Sequence, residues 1–187
     1  MANQDAPFGF RPVRHLSGGQ IRTNEYKIAA NYGTSLFQGQ ALIAVNDGTV
    51  AAGTTSGVIL GIFNGCFFTH PTTGKPTFSN TYPASTNASD IVAFVYDDPQ
   101  LVFEVQGDEI GVVADIFSGF DLVGTGGSTI TGRSTQELDT STTGTSGQFK
   151  MIGISKDPNN SDVTVNNTNV YVVSNTAEHT HKLTTAI

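Results

Sequence analysis

The sequence predicts a mainly-β fold, a compact antiparallel barrel or sandwich of the jelly-roll or β-tulip type, with an extended N-terminal arm. Short Val-, Ile- and Phe-rich runs recur along the chain, punctuated by Gly, Pro and Asn-Asp-Gly, the mark of antiparallel strands joined by turns. Helix signals are poor throughout. A chain of 187 residues fits one domain that buries roughly 70% of its unfolded surface, so a core is available without staples. The expected division is an arm over residues 1–24 and a single β-rich domain over 25–187.

In the arm, Pro7, Pro12, Gly9, Gly18 and Gly19 break any helical period, since proline biases its predecessor away from helical backbone. Phe8, Phe10, Val13 and Leu16 are apolar, and a solvated tail would gain nothing from them. The arm is therefore expected to lie down on a surface. In the body, "ALIAVNDGTVAAG" predicts a hairpin turning at Asn46-Asp47-Gly48, because Asp-Gly supplies the positive φ of a tight turn. "GVILGIFNGCFF" continues the sheet, with Gly61 and Gly65 marking a bulge or a close backbone approach.

The polar stretch 69–89 reads as a long loop packed on the body or used for contact. Residues 91–96 and 101–106 read as a hairpin around "DDPQ", where Asp can bond its own backbone and Pro fixes φ. A Gly/Ser/Thr-rich loop around 124–147 offers little core potential. Two closing strands follow, "QFKMIGISK" and "DVTVNNTNVYVVSN", the second alternating Val163, Val165, Val170 and Val172. The end, "AEHTHKLTTAI", is expected to fray or to add an edge strand.

Composition narrows the function classes. Charged residues make up 13% of the chain and the net charge is −7, which argues against general nucleic-acid binding, where Lys and Arg neutralise phosphates. The charge is uneven: Arg11, Arg14, Arg22 and Lys27 stand against Asp5 and Glu25 in the first 27 residues, leaving five basic and fourteen acidic residues beyond them. The arm and the body thus differ in sign. The single Cys66 between apolar neighbours predicts a buried, inert thiol and no disulfide framework. The N-terminus shows no signal-peptide pattern and no window is long and apolar enough to span a membrane. A soluble, non-secreted product is expected, which makes the N-x-[ST] matches at Asn87, Asn159 and Asn166 chance occurrences.

No constellation reads as catalytic, and no cofactor or metal is expected. Asp97-Asp98 is a turn rather than a carboxylate dyad, because adjacent residues in a strand point to opposite sides. The calcium-loop spacing is absent around it. "HTH" at His179–His181 could offer two imidazoles, but His15, His70 and Cys66 lie far off in sequence and the polar-tail reading is preferred. "TTGKPT" departs from the phosphate-loop pattern, and "GGSTITG" lacks the nucleophile-elbow form. What stands out instead is "DAPFGFRPVRHLSGG", since aromatics beside Arg are preferred interface anchors. Phe8, Phe10, Arg11, Arg14 and His15 are the candidate contact residues, with a neighbouring subunit favoured over self-packing.

The stretches "ANQDAPFGFRPVRHLSGG", "GIFNGCFFTHPTTGKPTFSNTYP" followed by "IVAFVYDDP", and the late "MIGISKDPNN" resemble small structural proteins of tailed-bacteriophage virions, over most of the chain. The resemblance implies a capsid decoration, or cement, protein. Such a protein is made in the host cytoplasm and binds the outer surface of the phage head, bridging major capsid proteins, often as a homotrimer at three-fold and quasi-three-fold positions. It implies no enzyme activity, no direct nucleic-acid contact and no membrane. Two other classes compete. A host-surface carbohydrate-binding virion domain fits the polar loops, although Tyr82 and the lack of Trp leave little stacking platform. A metal-dependent hydrolase would need the scattered His residues and Cys66 to converge.

Overall fold

Alternation inside the apolar runs decides the architecture. A computed structural model of the chain describes residues 2–55, 57–141, 144, 146–175 and 179–182, and these contain fifteen strands and no α-helix. In chain order they are β1 (Arg11–His15), β2 (Asn24–Ile28), β3 (Leu36–Phe37), β4 (Ala41–Ala44), β5 (Thr49–Ala52), β6 (Gly61–Thr69), β7 (Pro76–Ser79) and β8 (Thr81–Tyr82). They continue with β9 (Val92–Tyr96), β10 (Leu101–Gln106), β11 (Gly119–Phe120), β12 (Leu122–Val123), β13 (Glu137–Leu138), β14 (Phe149–Ile154) and β15 (Asn169–Ser174).

Five of these close into a barrel in the order β4-β5-β2-β9-β6, with β6 pairing back to β4 and β7 added outside β6. The β2–β5 pair is parallel and the other contacts are antiparallel. A second layer, β1-β10-β15-β14-β11, lies across the barrel wall. The mainly-β barrel or sandwich expectation is met by both layers.

Two cores explain why several strands read as continuous apolar runs. In β4, Leu42 and Ala44 point into the barrel, whereas Ala41 and Ile43 point out to the second layer; Phe63 and Ile62 of β6, and Val95 and Tyr96 of β9, divide in the same way. A strand buried on both faces shows no polar alternation. The outer core receives Phe103 and Val105 from β10, Phe149 and Met151 from β14, and Val170 and Val172 from β15.

The Asn46-Asp47-Gly48 hairpin is present, closed by Val45 N–H to Thr49 O at 2.9 Å, with Gly48 at φ 80°. Gly61 shows the close approach expected of it: a Cβ there would stand 2.3 Å from the Tyr96 carbonyl oxygen and 2.8 Å from Val95 Cγ1. Gly61→Ala is expected to cost about 1–3 kcal/mol by overpacking, read as a lower urea midpoint with unchanged slope. An unchanged midpoint would show that β6 and β9 separate freely.

Several expectations are corrected. Residues 91–96 and 101–106 do not form a hairpin: β9 belongs to the barrel and β10 to the second layer, so "DDPQ" carries the chain from one to the other. The 69–89 stretch is not one loop, since β7 pairs with β6 and β8 with β3. The 124–147 stretch supplies β13, and Leu138, Gln136 and Ser134 are buried. Val163 and Val165 lie outside β15, because Asp162 bonds the Thr164 N–H at 3.0 Å and Asn167 takes φ 65°, local bonds that compete with a ladder. The C-terminal stretch does not fray at His179, which is buried and bridged to Ile59. Residues 142, 143, 145, 176–178 and 183–187 of the predicted loop and tail lie outside the described residues.

Candidate functional site

The five arm residues are distributed over one edge of the second layer. Residues 11–15 form β1, paired antiparallel to β10 with Arg11 opposite Glu104 and His15 opposite Leu101. β10 is buried on both faces and needs a neighbour on each side; β15 supplies one and the arm the other. Pro12 is tolerated because β1 is an edge strand, and the register slips between Pro12 and Arg14.

Phe10 is a core residue rather than a free anchor, stacked on Phe149 with ring centroids 4.4 Å apart, and its N–H donates to Gly39 O at 2.8 Å. His15 is turned inward as well. Its Nδ1 accepts the Ser17 N–H at 3.1 Å, which leaves Nε2 to donate to Asp98 at 2.9 Å. Arg11 pairs with Glu104 while its guanidinium lies 4.9 Å from the centroid of the half-buried Phe8 ring. Arg14 is exposed. Arm packing on its own body corrects the preference for a neighbouring subunit at Phe10 and His15. Apart from Pro12 and His15, the run 11–22 faces outward, with Val13 (42%), Leu16 (51%) and Ile21 (42%) exposed among Arg11 and Arg14.

Further toward the N-terminus, amides hold the chain down. Gln106 Nε2 and Asn160 Nδ2 both donate to Gln4 O, at 2.6 and 2.7 Å, and Asn3 Nδ2 donates to Asp162 O at 2.9 Å. Such bonds satisfy buried polar groups that would otherwise be costly.

The Asp97-Asp98 crossover is more than a turn. Asp98 accepts the Gln100 N–H at 2.8 Å and the His15 contact, whereas Asp97 faces the other way. Its carboxylate accepts from Asn24 Nδ2 at 2.9 and 3.0 Å, Tyr26 Oη at 2.5 Å and His181 Nε2 at 3.0 Å. Burial alone would raise the Asp97 pKa, but the bonds from Tyr26, Asn24 and His181 outweigh it and hold the carboxyl below its ordinary value. Burial, then the bond and charge of Asp97, push the Tyr26 phenol up.

This cluster borders a cleft of about 370 Å³ lined by Arg22, Tyr26, Gln100 and Lys182 among others. The two carboxylates diverge, as adjacent positions should, so no pair shares a proton. A carboxylate already accepting from three partners beside a firmly protonated phenol acts as a staple: Asn24 and Tyr26 come from β2, His181 from the C-terminal segment.

His70 and Cys66 take no part in that cluster. His70 Nδ1 accepts N–H bonds from Thr72 and Thr73 of its own loop, at 3.2 and 3.4 Å. Burial pushes the Cys66 thiol up to about 12, and its sulfur lies 3.6 Å from Thr81 O. Among the described residues no group of three or more His, Cys, Asp or Glu is placed to hold a metal ion. Nor is any helix there long and apolar enough to cross a membrane.

Two surface features escaped the sequence reading. Tyr82, weighed as a sugar platform, is fully buried and donates to Tyr32 O at 3.1 Å. The exposed ring of that stretch is Phe78, at 72%; the alternation in "PTFS" beside the apolar "CFFT" was its signal. Phe117 is equally exposed at 72%, in left-handed backbone (φ 78°) held by its N–H to Met151 O at 2.8 Å. Comparison with protein-family profiles, curated proteins and solved structures gives no match to this chain.

Proposed function

We propose that this chain is a bacteriophage capsid decoration protein, which binds the outer surface of the head and bridges neighbouring major capsid proteins without catalysing a reaction. The observation that carries the reading is the exposed apolar and cationic run over residues 11–22, which begins on an edge strand of the two-layer body. Its basic residues, on a chain of net charge −7, suit an acidic, partly apolar partner face, and complementary charge favours encounter and register. The resemblance in the arm and in the central and closing stretches supports the same role.

A clamp of this kind works by area rather than chemistry. As a homotrimer at three-fold and quasi-three-fold positions, three modest arm contacts would add by avidity. Phe8, Arg11 and Arg14 would make such a contact together with Val13, Leu16 and Ile21, while Phe10 and His15 hold the strand in place.

Purified protein is expected to raise the rupture temperature of undecorated heads. The double variant Arg14→Glu, Leu16→Ser is expected to bind heads at least about tenfold more weakly with its own melting temperature unchanged. No rise in rupture temperature at saturating protein would overturn the role. Unweakened binding by the folded variant would overturn the surface.

A further inference from the structure

We infer that the outer barrel wall beside β7 is a binding site for a neutral oligosaccharide. Phe67 lies directly opposite Phe78 on the paired strands, with ring centroids 4.8 Å apart. Phe94 lies opposite Gly65, which carries no side chain, so the Phe78 and Phe94 rings meet across the gap at 6.3 Å with planes within 14°. Gly65 is required there, since a Cβ would stand 2.8 Å from the Ser79 carbonyl oxygen. Two nearly parallel rings are thereby held on a floor of bare backbone, with Phe78 open to water.

Beside the two rings, which line one side of it, lies a hollow of about 290 Å³ lined also by Gly65 and Cys66, with Asn64, Ser79 and Asn80 as its polar rim. Each rim residue keeps a donor in reserve. Asn64 Oδ1 accepts from Gln38, which leaves its Nδ2; Ser79 Oγ accepts the Thr81 N–H at 3.1 Å, which leaves its own hydrogen; Asn80 Nδ2 spends one hydrogen on Thr131 O at 3.3 Å. Across the Ser79–Asn80 ridge a second hollow of about 430 Å³ is lined by Ser35, Thr129 and Thr131 and by Ile130, which is 95% exposed.

The lining chemistry selects the ligand. Neither hollow is lined by Asp, Glu, Lys or Arg, in a chain with nine basic and sixteen acidic residues. A phosphate, sulfate or carboxylate seated there would lose hydration without an ionic partner. A pyranose offers what the site lacks: an apolar C–H face for the rings and hydroxyls to accept the rim donors. Two hollows that share the Ser79–Asn80 ridge suit a chain of sugars rather than one. A protein occupant is less well served, since stable interfaces need about 800 Å² per partner. Phe78 and Ile130 are separated by a polar ridge, and Pro76 removes a donor from the β7 edge.

The test titrates maltohexaose, cellohexaose and chitohexaose into the ¹⁵N-labelled chain and follows amide shifts. One of them is expected to bind with a Kd of order 1 mM or tighter, with shifts confined to β6, β7 and residues 129–132. Phe78→Ala is expected to weaken binding at least about tenfold, whereas Phe117→Ala, an equally exposed ring elsewhere, leaves it unchanged. The inference falls if no oligosaccharide shifts the spectrum, or if Phe117→Ala weakens binding as much as Phe78→Ala does. It also falls if sedimentation shows that Phe78→Ala dissociates an oligomer, which would make the ring a contact between copies.

Discussion

A chain lacking residues 2–16 is expected to lose most of its folding stability, although such a cut would be harmless to the body if the segment were a free arm. The deletion removes Phe10 from its stack on Phe149, and truncating a buried Phe costs about 3–5 kcal/mol. It also strips Arg11 from the buried Glu104 carboxylate, leaving Ser155 Oγ at 2.5 Å as that group's remaining side-chain donor. Uncompensated buried charge costs about 3–5 kcal/mol. Against a total of about 5–15 kcal/mol for a typical domain, little remains. Urea melts of the deleted and full-length chains decide the matter, and closely matching midpoints would show that β1 is dispensable. For this reason the capsid-binding test uses outward-facing substitutions instead of truncation.

Stability is expected to fall by up to about 3 kcal/mol through His179 between about pH 6.5 and pH 4. Burial, then the neighbouring His181, lowers the His179 pKa to about 4 from an ordinary 6.5. Its Nδ1 accepts the His181 N–H at 3.3 Å, so Nε2 carries the proton, and that atom has no hydrogen-bond partner among the described residues. The unfolded chain therefore takes up a proton first as pH falls, and the contribution is complete above about 6.5 and gone near 4. Glu137 works in the opposite sense. Burial, then Asp5 and Asp108, push it up to about 7, so its contribution is present below its ordinary value and lost as pH rises through 7. Asp97, held low, loses its contribution only as pH falls below about 4. Comparing wild type with His179→Leu isolates the imidazole: the variant should lose the decline between pH 6.5 and 4, and parallel profiles would refute the assignment.

Much of the strand content was readable because turn chemistry is local. Asn46-Asp47-Gly48 and the glycines of β6 behave as their residue types require. Pairing was not readable, because β9 and β10 look like hairpin arms whether the chain folds back or crosses between layers. The choice is made by distant partners, Glu25 and Tyr171, opposite Phe94 and Glu104. The same holds for the candidate contact residues. Composition singled out Phe8, Phe10, Arg11, Arg14 and His15, but whether each faces in or out depends on β10, some ninety positions later. His179 and Phe78 were misjudged for a related reason, since a polar neighbourhood in sequence says nothing of what packs over it.

The order in which strands leave the ribosome separates the two layers in time. Every barrel strand lies between residues 24 and 96, whereas the second layer joins residues 11–15 to strands that end at 174. The barrel can close while β1 still waits for β10, and β10 gains its other neighbour only when β15 emerges. Until β10 emerges β1 has no strand partner, and Phe10 lacks the Phe149 ring until β14 follows, so the slow, late step of folding, and the interval of greatest aggregation risk, belong to the earliest-made of these strands.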